Sequence, residues 1–156
     1  MDVAVTDLFS PNRVIFELSA RTKKGVISEL VDELEKDGIL TEKAKFLEEV
    51  YKREEESSTG IGLQIAIPHG KSDAVLKASL VFGKSSTGIE FDSLDKEKVK
   101  LFFLIAVPEN SDEIHLHAIA SICRLLMYVD IREKLKKVNR YEDLIEIFNL
   151  KQGDII

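Results

Sequence analysis

The seven residues from Leu101 to Val107, LFFLIAV, are apolar at every position. A strand wetted on one face would alternate, so an unbroken run predicts a central strand, Val99 to Val107, covered on both sides. A second strand is expected from Ala78 to Phe82 and a short one at Ile65-Ala66-Ile67. Near the N-terminus, Val3, Val5 and Leu8, then Val14, Phe16 and Leu18 with Ile15, also read as strands. Two amphipathic helices should follow. Val26, Ile27, Leu30, Val31 and Leu34 recur at helical spacing up to a stop at Lys36-Asp37-Gly38. Ala44, Leu47, Val50 and Tyr51 share one face of the second helix, with Thr41 as its expected N-cap and the polar run Arg53 to Ser58 at its end. From Asp112 the pattern stays helical. Ile114, Ala118, Ile119, Ile122, Leu125 and Leu126 form a stripe, a helix follows over Ile131–Val138, and Tyr141 to Phe148 forms a last one. Strands interleaved with helices predict an α/β fold, a sheet with helices on both sides.

At 156 residues, with no internal repeat and no Pro/Gly/Ser-rich linker, the chain is expected to be one domain, residues 1–156. A net charge of -6, from 22 Lys plus Arg against 28 Asp plus Glu, is the wrong sign for a nucleic-acid binder and suits a basic partner. The single cysteine, Cys123, forms no internal disulfide and is consistent with a reducing compartment. No apolar run approaches the ~20 residues of a membrane-spanning helix. MDVAVTDLF lacks a basic segment followed by an apolar one, so the expectation is a cytoplasmic protein.

Three histidines carry most of the chemical information. His69 follows a short strand and Pro68 and precedes Gly70. Proline restricts the residue before it, and glycine permits a tight turn and removes bulk, so the imidazole should be displayed at a strand end with open space beside it. That presentation suits a nucleophile; a histidine finishing a turn is the other reading of so short a string. His115 and His117 lie near the start of the long helix. Two residues apart, they are rotated by about 200° and point to opposite sides, so a shared metal is not expected. One of them can line a site while the other is an ordinary surface histidine. No metal ligand set and no cofactor motif is found. Gly70-Lys71-Ser72 imitates the end of a P-loop, but Ile65 stands where that motif needs glycine, and Gly60-Ile61-Gly62 lacks the third glycine of a dinucleotide fingerprint. Cys123 sits in the apolar stripe and reads as core. The acidic run Glu54–Glu56 reads as a solvated face.

The segment Glu54 to Gly70, EEESSTGIGLQIAIPHG, resembles the active-site signature of enzyme IIA of the fructose/mannitol class, a phosphocarrier of the phosphoenolpyruvate-dependent sugar phosphotransferase system. That pattern asks for an acidic or amide residue, six free positions, an aliphatic and a small residue, two free positions, then aliphatic-Ala-aliphatic-Pro-His-small. Glu54, Ile61, Gly62, Ile65, Ala66, Ile67, Pro68, His69 and Gly70 satisfy it. The similarity continues through GIEFDSLD, FFLIAVPE and the His115-Leu116 helix ending in CRLL, over essentially the whole chain.

The resemblance implies a mixed, mainly parallel sheet sandwiched between helices. It implies that His69 carries the phosphoryl group at Nε2, that His115 and not His117 contacts that group, and that Arg53 helps to offset its charge. The partners it implies are HPr or a paralogous phosphocarrier as donor and a cysteine-bearing enzyme IIB domain as acceptor, with the membrane reached only through the permease. FFLIAVPE is closer to the fructose branch, whereas His115-Leu116-His117 also resembles the nitrogen-regulatory branch, in which phosphorylation state controls regulatory proteins. A phosphoesterase working through phosphohistidine is a third possibility, for which no general acid or metal is evident.

Overall fold

The computed structural model describes the backbone of residues 5–111 and 113–154, with the side chains of all of these except 113–115, 118 and 150–154. The apolar run is the middle of the sheet. Strand β6 (Val99–Pro108) pairs along one edge with β5 (Ser79–Ile89), antiparallel, and along the other with β3 (Ile65–Ala66) and β4 (His69–Ser72), both parallel. Beyond β5 lies β1 (Val14–Ile15), parallel to it, and beyond β3 lies β2 (Gly60–Gly62), antiparallel. The sheet is therefore mixed, and its longest pairing, β5 with β6, is antiparallel.

Along β6 successive side chains divide between two cores. Leu101, Phe103, Ile105 and Val107 pack with Ile122 and Leu125 of α3 (Glu113–Leu125), Ile131 and Leu135 of α4 (Val129–Lys137) and Leu144 and Phe148 of α5 (Tyr141–Asp154). Phe102, Leu104 and Ala106 pack with the apolar faces of α1 (Lys23–Lys36) and α2 (Lys43–Glu56). A strand buried twice has no position for a polar side chain, which is why the sequence does not alternate. Among the described residues no helix is long and apolar enough to cross a membrane.

The helices start and stop largely as their chemistry dictates. Thr22 caps α1 by accepting from the Gly25 N–H at 3.1 Å. Its far end closes with the Ile39 N–H donating to the Leu34 carbonyl, a turn that needs the left-handed conformation Gly38 adopts, φ 72°. Thr41 does not cap α2. Glu42 occupies that position, and the Thr41 N–H and hydroxyl instead donate to the Ala74 carbonyl, fastening the helix entrance to the loop after β4.

The first expected strand is a short 3-10 helix, Val5–Leu8, in which side chains three apart eclipse and both termini of the turn reach the α3–α5 core. Val3 lies outside the described residues. Only Val14 and Ile15 of the second expected strand pair with β5.

Candidate functional site

His69 opens β4, but the strand does not begin there. Ile65 lies opposite Leu101 and His69 opposite Ile105, the same register throughout, so β3 and β4 form one strand interrupted at Ile67-Pro68. The expected display at a strand tip is thus replaced by display at a break within a strand. At that break Pro68 has no N–H to give, the Ile67 N–H donates sideways to the Thr59 carbonyl at 3.0 Å, and the Pro68 carbonyl accepts from Ile105 at 2.9 Å.

The break frees one further acceptor, the Ile67 carbonyl, and His69 Nδ1 lies 3.0 Å from it. A carbonyl only accepts, so this contact places the proton of the neutral ring on Nδ1 and the lone pair on Nε2. Among the described residues Nε2 has no hydrogen-bond partner. The ring is half-buried at the wall of a cavity of about 460 Å³.

Gly70 is ordinary strand backbone and not the expected turn. Its role is close approach: a Cβ there would meet Phe46 Cε1 and Val50 Cγ2, each at 3.0 Å, because α2 packs directly on this strand. The α2 side of β4 is closed in this way, and His69 lines the cavity on the α3 side, where Ile61, Ile67, Leu116 and Ile119 supply apolar walls.

Among the described residues two cations line the cavity, Arg53 and Lys71. Arg53 stands in the last turn of α2, where its guanidinium donates to the Ser57 carbonyl at 2.9 Å. That bond satisfies a helix-end carbonyl and leaves the other guanidinium N–H groups without a hydrogen-bond partner among the described residues.

Glu54 corrects the reading of the acidic run. Glu55 and Glu56 are exposed, whereas Glu54 is 7% exposed. Its carboxylate accepts from the Thr59 N–H at 3.2 Å and from the Thr59 hydroxyl, and pairs with Lys23 Nζ at 2.9 Å. The chain leaving α2 is thereby folded back so that Ser58 and Thr59 border the cavity and the Thr59 carbonyl meets Ile67. Lys23, on a different helix far along the chain, was invisible to motif reading.

His117 is exposed and does not line the cavity; its carbonyl accepts from the Ser121 hydroxyl at 3.0 Å. His115 belongs to α3 by its backbone, and its side chain lies outside the described residues. Cys123 is half-buried and shares the cavity wall with His69. Burial pushes its thiol above the usual range, against a smaller opposing effect of Arg124, so it stays protonated at neutral pH.

An imidazole with Nδ1 anchored on a carbonyl, at the wall of an apolar cavity that cations also line, can in its neutral form take up an electrophilic anionic group and release it again. Comparison with known proteins points the same way. Residues 7–151 match the family model described as "Phosphoenolpyruvate-dependent sugar phosphotransferase system, EIIA 2". A fructose-specific EIIA component of Haloferax volcanii is 39% identical over 86% of this chain and 88% of its own length. A fructose-specific EIIABC component of Bacillus subtilis is 35% identical over 93% of this chain, which spans only 23% of that longer protein. A nitrogen regulatory protein of Bradyrhizobium diazoefficiens is 36% identical over 85% of this chain and 86% of its own.

Among solved structures, the nitrogen regulatory protein IIA-Ntr of Neisseria meningitidis superposes with a TM-score of 0.85 at 28% identity, covering 92% of this chain and 98% of that one. The mannitol enzyme IIA of Escherichia coli, seen in complex with phosphorylated enzyme IIB, has the same fold, with a TM-score of 0.78 at 24% identity over 91% of this chain and 99% of that one. The mixed sheet between two helical layers, the interrupted strand that carries His69 and the match over residues 7–151 lead to one assignment: the chain belongs to the EIIA type 2 family of the phosphoenolpyruvate-dependent sugar phosphotransferase system.

Proposed function

We propose that this chain is a phosphohistidine carrier: a single enzyme IIA domain over residues 1–156 that accepts a phosphoryl group on His69 Nε2 from HPr or a paralogous phosphocarrier and passes it to the cysteine of an enzyme IIB domain. The observation that carries this reading is the 3.0 Å contact between His69 Nδ1 and the Ile67 carbonyl, which leaves Nε2 as the nucleophilic nitrogen. In the transfer the donor's P–N bond breaks as the Nε2–P bond forms. Nδ1 keeps its proton throughout, so no general base is required. Such a reaction asks the protein for position and charge compensation more than for covalent chemistry.

Arg53 and Lys71 at the rim would offset charge on the phosphoryl oxygens. His115 joins them by resemblance to the family, and its place in α3, four residues before the cavity-lining Ile119, supports that reading. Apolar walls around one reactive nitrogen favour brief docking of two successive carriers, with charge setting the encounter rate. The work would be done in the cytoplasm, with the membrane reached only through the permease.

The fructose-specific relatives favour sugar uptake, and the nitrogen regulatory relatives favour the alternative of a phosphorylation-dependent control protein. A relay reconstituted with phosphorylated donor, this chain, a IIBC permease and fructose separates the two. Sugar phosphorylation that depends on His69 upholds uptake. A chain that is labelled at His69 but yields no sugar phosphate is the regulator, and a chain that is never labelled overturns both.

A further inference from the structure

A second cavity, of about 410 Å³, opens at the other end of the sheet and is lined by Phe16, Glu17, Lys84, Ser85, Ser86, Lys100, Lys136 and Asn139. Lys84 lies opposite Leu101 on β6 where His69 lies opposite Ile105, four residues or about 13 Å along the strand. The phosphocarrier reading makes no use of this cavity.

Its charge is lopsided in a chain that is acidic as a whole. Three lysines face one carboxylate, Glu17, and both oxygens of that carboxylate already accept from the Ser86 N–H, at 3.3 and 3.2 Å. Lys84 is only 8% exposed, and lysine is rarely buried without an anion beside it. Its ammonium donates to the Val138 carbonyl, to the Lys136 carbonyl at 3.3 Å and to Asn139 Oδ1 at 3.3 Å, all neutral acceptors. Burial draws its pKa down, and the Glu17 carboxylate opposes this only in part.

The two carbonyls belong to the end of α4, so Lys84 also serves as a cap for that helix. A cap explains its hydrogen bonds but neutralises at most about half a charge, and it leaves the other donors of the cavity idle. Lys100 has no ion-pair or side-chain hydrogen-bond partner among the described residues. Asn139, held by its oxygen, turns its amide N–H groups elsewhere. Ser85 accepts from the Gly88 N–H and keeps its own hydroxyl proton to give. Lys136 is engaged by the Gln64 side chain and, at 3.4 Å, by the exposed Glu133.

We infer that this cavity binds a small oxyanion, a phosphate monoester or a dicarboxylate, through Lys100 and Lys136, with Asn139 and Ser85 as hydrogen-bond donors and Lys84 holding Asn139 in place. Glu17 offsets one of the three ammonium groups and the exposed Glu133, 3.4 Å from Lys136 Nζ, offsets part of a second, so the cavity keeps a positive charge that a small oxyanion balances. The volume is at the small end of ordinary ligand sites.

The test is an amide NMR titration of the whole chain with inorganic phosphate and, separately, with succinate, at ionic strength held constant with chloride. Saturable shifts of the Ser85, Ser86, Lys100 and Asn139 amides are expected with at least one probe, and Lys100→Ala should weaken that binding about tenfold. A response to phosphate alone assigns the phosphate esters, to succinate alone the dicarboxylates, and to both a general oxyanion site. Shifts confined to Gly70 and Lys71 would report binding at the His69 cavity instead and overturn the inference. Absence of saturable shifts at the four amides, or shifts that Lys100→Ala leaves unaltered, overturns the inference.

Discussion

Ile67 receives His69 at its carbonyl, with Nδ1 3.0 Å away, while its own N–H donates to Thr59 at 3.0 Å. One residue therefore joins the imidazole to the loop that Glu54 and Lys23 hold down. The His69 ring is the last member of a chain of contacts that begins on α1, and each link can be cut separately.

The last link sets the tautomer. Nitrogen-15 spectra recorded where the ring is neutral should place the His69 proton on Nδ1, and His69→Ala should fold normally yet take up no acid-labile phosphate from a phosphorylated donor. A proton found on Nε2 would leave no lone pair there for attack and would contradict the proposed chemistry.

The first link is Glu54. Glu54→Ala leaves Lys23 and the Thr59 N–H without their buried partner and should cost about 3 kcal/mol in denaturant unfolding, the lower end for a broken buried pair because Lys23 is partly hydrated. Glu54→Gln keeps an acceptor for Thr59 and should cost less. In both variants phosphoryl uptake should slow, since the Thr59 carbonyl no longer holds Ile67 in place; a fully active, destabilised Glu54→Ala would confine the residue to stability.

What the sequence made legible follows from what each element is made of. The β6 run could be read because burial on both faces leaves a composition with no other explanation, and the α1 stripe because five apolar residues repeat at helical spacing before a glycine stop. The hairpin between β2 and β3 could not. Its turn, Leu63-Gln64, takes φ of 59° and 66° without the Asn-Gly chemistry that announces such turns, and it is held from outside by Asp95 accepting from Leu63 N–H and by Lys136 on the Gln64 side chain. The site divides in the same way. Pro68-His69-Gly70 marked an imidazole that lies at the cavity wall, but Glu54 looked like one more surface acid because its partner Lys23 comes from a helix thirty residues earlier.

Gly70 tests the packing behind the imidazole. A methyl group there must displace Phe46 and Val50, both in the closed core, so Gly70→Ala should destabilise the protein by about 1–3 kcal/mol. Phosphoryl uptake should fall as β4 is pushed off α2. Unchanged stability would mean that α2 yields more easily than a packed helix should.

The two α3 histidines give a matched pair. His117 is exposed and away from the cavity, so His117→Ala should leave the rate of transfer and the thermal midpoint unchanged. His115→Ala is expected to slow transfer without unfolding the chain. Equal losses in the two variants would place the phosphoryl group on a different side of α3 from the one proposed.

Cys123 offers a probe of the cavity that leaves His69 intact. Burial raises its pKa, so the thiolate is scarcer than in an exposed cysteine, and the rate of alkylation by iodoacetamide should be slow at neutral pH and still be climbing above pH 9. Because Cys123 and His69 share one wall, the alkylated protein should accept phosphate poorly even though its imidazole is unchanged, whereas Cys123→Ser should accept it at nearly the normal rate. Blocking by the adduct together with tolerance of the serine would identify the cavity as the route by which the donor reaches Nε2. An alkylated protein that transfers at full speed would mean that the donor approaches His69 from elsewhere.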